Sequence, residues 1–112
     1  MEKMKSRVFF ADKKIEASFY KLKDSKTEDQ SLYKHLVNTF AKLEENAFIG
    51  IHIPKRLIPK EHIQKYGIEN LWKYNLPNGW RILYSVGKKE IMVITLILEW
   101  LPHKEYERRF KY

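Results

Sequence analysis

The chain has no cysteine. That excludes a disulfide framework, a thiol nucleophile and any metal site built on thiolates. It fits a reducing cytosol, so a cytoplasmic location is expected. Glycine is scarce and scattered, four residues in all. They form no GxGxxG or Walker phosphate loop, and no G-x-S-x-G elbow carries a serine nucleophile. Long hydrophobic runs are missing too. The longest, Ile91 to Leu98, is far too short to cross a bilayer, so no membrane partner is expected. The first residues, MEKMKSRVFF, are charged and have no apolar stretch of the kind a signal peptide needs. The histidines are His35, His52, His62 and His103, and none makes an HExxH-style pair; no metal and no cofactor is expected. Negative charge is also short. Lys and Arg number 22 against 14 Asp and Glu, leaving a formal +8. A field of that sign attracts polyanions, nucleic acid first among them, with acidic proteins and anionic lipid behind. Surface solubility is the plainer use of the same charge.

What is present is enough for one folded domain. The chain has 112 residues, 44% of them apolar and 14% aromatic, which supplies a core and rules out a disordered chain. Arg7 to Ala11 is long enough for one strand. Asp12 offers a helix cap, and Ile15, Phe19 and Leu22 recur at helical spacing, which predicts a helix over about Lys13 to Lys23. Asp24, Ser25 and Thr27 suit a turn and a second cap. Leu32, Leu36, Phe40 and Leu43 then make one stripe of a longer helix from about Glu28 to Glu45, stopped by Asn46 and Gly50. Phe48 to Asn70 is irregular, broken by Pro54 and Pro59. Within it Ile49, Ile51 and Ile53 alternate, and Pro59 suits the first turn of a brief basic helix, PKEHIQKY, stopped by Gly67, with the segment's Ile, Leu and Tyr residues expected to pack down on the domain.

The stretch from Asn70 to Trp100 reads as a three-stranded antiparallel meander. Its strands are expected over Leu71 to Leu76, Trp80 to Val86 and Glu90 to Trp100. Asn78-Gly79 marks the first turn and Gly87 with Lys88 and Lys89 the second. On the first strand Trp72, Tyr74 and Leu76 share one side, with Leu71, Lys73 and Asn75 on the other; on the second Trp80, Ile82, Tyr84 and Val86 share a side, opposite Arg81, Leu83 and Ser85. The third strand is apolar on both faces and so belongs in the middle of the sheet. After Pro102 the tail HKEYERRFKY is either a helical turn or irregular. The fold class is therefore α+β: an N-terminal strand, a helical hairpin, an antiparallel β-meander and a short C-terminal tail. The hairpin is expected to cover one face of the sheet and leave the other as a partly open, concave, basic surface.

Cleaving RNA through its own 2′-OH needs a proton acceptor, a proton donor for the leaving 5′ oxygen, and cations for the charged phosphorane. Lys73, Arg81, His103, Lys104 and Tyr106 are residue types that serve. Trp80, with Trp72 or Tyr74, offers base stacking. Lys55 and Arg56 add basic contacts. The plain structural alternative is that Lys73 and Arg81 are ordinary strand cations and Tyr106 packs the tail.

The segment NLWKYNLPNGWRILYSV resembles the core of the RelE/ParE toxin superfamily, with its Leu-Trp-Lys strand (Leu71-Trp72-Lys73), a turn, and Gly-aromatic-Arg (Gly79-Trp80-Arg81) followed by Tyr84. Asn46 and Gly50 match the end of the family's helical hairpin, and HKEY at His103 to Tyr106 its C-terminal basic cluster and tyrosine. The resemblance spans essentially Arg7 to Phe110. It implies a cytosolic toxin of a type II toxin–antitoxin system, partnered by an antitoxin protein. It further implies metal-independent cleavage of mRNA on the ribosome, or, in the ParE-like branch, topoisomerase inhibition without nuclease chemistry. Carried over, Arg81 is the phosphate clamp, Lys73 or Tyr106 the base, and His103 or Lys104 the acid. Asn75 stands where some members have a second lysine.

Overall fold

The computed structural model describes residues 3–110. Among the described residues, five strands form one sheet flanked by four α-helices. In chain order these are β1 (Arg7–Phe10), α1 (Lys13–Lys23), α2 (Thr27–Glu45), β2 (Ile51–His52), α3 (Lys60–Tyr66), β3 (Trp72–Asn75), β4 (Arg81–Lys89), β5 (Met92–Leu101) and α4 (His103–Phe110). The sheet order is β1-β5-β4-β3-β2. The meander β3–β4–β5 is antiparallel, and β1 runs parallel to β5. The doubly apolar β5 is thus interior, between β4 and β1.

Helix α1 forms where its cap and stripe require. Asp12 is extended and its side chain accepts from the Ile15 amide at 2.8 Å. That cap, with the adjacent Lys65, holds the Asp12 carboxyl below its usual pKa. Helix α2 starts differently from expectation. Lys26 is its N-cap and makes no side-chain capping bond, so Thr27 and its neighbours do not cap it. The link is tied instead by the Gln30 side chain donating to the Ser25 carbonyl. Asn46 ends α2, while Gly50 serves another purpose. A Cβ at Gly50 would lie 2.4 Å from the Lys73 carbonyl oxygen.

The two helices bury one sheet face. Phe19, Leu32, Leu36 and Leu43 meet Leu76, Ile82, Tyr84 and Ile97, with Trp72, Tyr74, Trp80, Val86 and Trp100 packed around them. Phe10, Phe19 and Phe40 form a ring cluster at this contact. Each fully buried large side chain here contributes on the order of 2–3 kcal/mol through the area it removes from water.

The other face is not left as the partly open, concave surface expected. A second core covers it, built from Ile53, Ile58, Ile68, Leu71, Leu83, Leu98, Leu101, Tyr106 and Phe110. Residues 53–68, irregular in sequence, wrap this face, and the charged tail folds as α4 and docks on it. The layering is helices, sheet, then a thinner helix-and-loop cover. Pro59 stands just ahead of α3 and Gly67, left-handed at φ 63, ends it.

The turns differ in one place. Asn78 and Gly79 both take positive φ, as their identities predict. Gly87 does not turn. β4 continues through it to Lys89, and the reversal falls at Glu90-Ile91, with Glu90 left-handed. The core-facing pairs Ile82↔Trp100 and Tyr84↔Ile97 set the register, and the turn falls where that register exhausts the strands. Between those pairs lies a bulge, because Leu83 faces Glu99 and Tyr84 faces Ile97. Leu98 is the extra residue, which lets it and Glu99 both serve the second face.

Candidate nucleic-acid interface

Two cross-strand rows place the basic residues. Ile51, Lys73, Leu83 and Glu99 lie in one row, and Asn75, Arg81 and Leu101 in the next. Lys73 and Arg81 therefore stand on the second face, on adjacent strands. Helix α4 follows β5 directly and runs back past them. Its buried Tyr106 puts an aromatic ring under both cations. Lys73 Nζ is 4.8 Å from the ring centroid and the Arg81 guanidinium carbon 5.7 Å. Phe110 stacks beneath the same ring at 4.6 Å.

The first residue of α4 completes the group. A guanidinium N–H of Arg81 donates to His103 Nδ1 at 3.0 Å. Arginine has only donors, so Nδ1 must be the acceptor and the proton sits on Nε2. Nε2 in turn pairs with Glu107, one helical turn on. Arg81 also donates to the Trp80 carbonyl at 3.2 Å, and its Nε is buried without a hydrogen-bond partner among the described residues. The result is a half-exposed patch: Lys73 and Arg81 partly buried, His103 and Lys104 exposed, Asn75 exposed at the rim. It offers fixed N–H donors and cationic charge to an anion.

Of the residues singled out in the sequence, Lys73, Arg81, His103 and Tyr106 come together. Lys104 shares the first turn of α4 with His103 and is exposed. Tyr106 is only 2% exposed, so it is a packing and platform residue in this conformation. Trp80 lies on the opposite face from Arg81, packed toward the helical hairpin, as do Trp72 and Tyr74. Lys55 and Arg56 are exposed on a short 3-10 turn in the segment covering the second face. Glu107 escaped sequence reading, although its i, i+4 spacing from His103 was the signal for it.

A second polar group lies on the same face, farther along α4. Glu99 Oε2 meets His62 Nε2 at 2.6 Å and Arg109 Nη1 at 2.5 Å. Burial alone would push the Glu99 carboxyl up, but the His62 hydrogen bond and the Arg109 charge outweigh it and hold it below the usual range. A 340 Å³ cavity beside it is lined by Asp12, Glu61, Tyr66 and Arg109 among others. Among the described residues no cluster of His, Asp and Glu is arranged to hold a metal ion. Among them, too, no helix is long and apolar enough to cross a membrane.

No protein-family model, curated protein or solved structure matches the chain.

Proposed function

We propose that this chain is a RelE-like toxin of a type II toxin–antitoxin system, a cytosolic endoribonuclease that cuts mRNA on the ribosome and is held in check by an antitoxin protein. The observation that carries the reading is the gathering of Lys73 and Arg81 over one buried tyrosine ring, with His103 hydrogen-bonded to Arg81. Strand order and motifs support it: an N-terminal strand, a helical hairpin, then a meander bearing Leu-Trp-Lys and Gly-Trp-Arg. In the proposed reaction the 2′ oxygen attacks phosphorus, the P–O5′ bond breaks, and a 2′,3′-cyclic phosphate remains. In this reading Lys73 takes the 2′ proton and Arg81 neutralises the phosphorane. His103 or Lys104 returns a proton to the 5′ oxygen. Tyr106, buried, supports the two cations from below rather than acting as the base. The test is induced expression with mapping of RNA 5′ ends. Wild type should generate new ends within coding sequences. Arg81→Ala should reduce them by about a hundredfold, the scale for losing one charged transition-state donor. Cleavage equal to wild type would refute the site.

The burial of Tyr106 and the pairing of His103 with Glu107 favour a second reading, a ParE-like or otherwise non-catalytic binding module of the same fold. It predicts growth arrest or topoisomerase inhibition with intact mRNA, and insensitivity to His103→Ala.

A further inference from the structure

Helix α4 has only eight residues. A helix that short does not hold itself in water, so its position depends on what it docks against. Two apolar anchors, Tyr106 and Phe110, face the sheet. Its N-terminal residue, His103, is held by Arg81. Its far end is held by Glu99, which the β5 bulge turns onto this face. One carboxylate oxygen of Glu99 meets both Arg109 of α4 and His62 of α3. His62 is 7% exposed, and its Nδ1 has no partner among the described residues, so the ring's polar contact is that carboxylate. Arg109 also reaches Glu105, one turn back, at 3.7 Å. Glu99 lies in the same cross-strand row as Lys73, with only Leu83 between them.

We infer that Glu99, with His62 and Arg109, is a clasp that positions α4, and through it His103 and Tyr106 against Arg81 and Lys73. These three are positioning residues for the patch. The inference rests on reading that patch as the working site, and the clasp itself can be measured without any cleavage.

The experiment uses the full chain in four forms: wild type, Glu99→Gln, Arg109→Gln and Arg109→Lys. Histidine ring resonances are followed by NMR, with amide exchange across α4. In Glu99→Gln and Arg109→Gln the His103 signals should move and protection of residues 106–110 should fall by about tenfold, while His35 on α2 stays as in wild type. Arg109→Lys, which keeps the charge, should restore most of both. If Glu99→Gln fails to fold, Arg109→Gln breaks the clasp from its more exposed side and carries the same readout. In the RNA assay the clasp variants should lower kcat by about tenfold with KM within about twofold, the pattern of misplaced rather than missing groups. A change confined to His62, with His103 and α4 protection as in wild type, overturns the clasp. A wild type that cuts no RNA overturns the proposed nuclease function, and the NMR readout still decides the clasp.

Discussion

Replacing Gly50 with alanine should be among the most damaging single-methyl additions in this protein. The new Cβ would sit 2.4 Å from the Lys73 carbonyl oxygen and 2.6 Å from the Tyr84 hydroxyl. Neither neighbour gives way easily. The carbonyl belongs to β3. The hydroxyl is held at 3.0 Å on each side, donating to the Ala47 carbonyl and accepting from the Gly50 amide, on a tyrosine with 0% exposure. Overpacking of this kind costs about 1–3 kcal/mol. Displacing the hydroxyl strands buried polar groups at about 1–3 kcal/mol more. The sum is roughly 2–6 kcal/mol, a large share of a stability of about 5–15 kcal/mol. At roughly 4 °C per kcal/mol, Tm should fall by about 8–24 °C. Thermal and urea unfolding followed by circular dichroism measure this directly. Gly87→Ala is the internal control. Gly87 has nothing within 4 Å of its would-be Cβ and sits inside β4 without a positive φ. That change should be neutral, or stabilise by about 0.5–1 kcal/mol through lost unfolded-state freedom. A Gly50→Ala Tm within about 2 °C of wild type would refute the packing described for the loop after α2.

Three further outcomes follow from the same geometry. Asp12→Ala removes the side-chain cap of α1 and should cost about 1 kcal/mol, read as a lower urea midpoint at unchanged slope. The Tyr84 hydroxyl is pushed up by burial from 10.0 to about 12. The folded state thus resists its ionisation, and stability should drain away as pH rises through that interval; difference absorbance should show a late-ionising tyrosine that Tyr84→Phe removes, and Tyr84→Phe should flatten the alkaline loss. Glu99 is depressed below its ordinary 4.5, so its contribution is present above that value and is lost as pH falls through the lower folded value. Glu99→Gln should therefore be less stable than wild type near neutrality and converge with it in acid, in urea titrations at both pH values.

The helical hairpin could be read from the chain because most steps, though not the start of α2, carried a local signal. Asp12 caps, a stripe recurs at helical spacing, and Asn46 stops it. The faces of β3 and β4 were equally legible, since alternation alone separates Lys73 and Arg81 from Trp72 and Trp80. The second core was not. Its members Ile53, Ile58 and Ile68 are isolated between prolines and charges, and only tertiary packing brings them onto Leu71 and Leu83. Tyr106 and Phe110 are four apart, a helical signal hidden among seven polar or charged neighbours in HKEYERRFKY. Gly87 misled because a glycine signals a possible turn, whereas the register that decides it lies in pairs such as Tyr84↔Ile97, remote in sequence. The gathering of Lys73, Arg81 and His103 depends on where α4 docks. The residues were therefore identifiable while their arrangement was not.

The parallel pairing of β1 with β5 has a consequence for how the protein is born. Arg7 pairs with Ile94 and Phe10 with Ile97, so the first strand's partner is made 87 residues later. During synthesis β1 and the helical hairpin leave the ribosome long before the strand they need exists. Their apolar stripe of Phe10, Phe19 and Leu36 must wait, exposed, for β5. Such long-range closure is slow because the entropy of the loop is lost before the contact is gained. Residues 103–110 can settle only after that, since α4 docks on a sheet β5 completes. The cationic patch therefore assembles after the sheet, and a chain released before Leu101 would carry Lys73 and Arg81 without the helix that organises them.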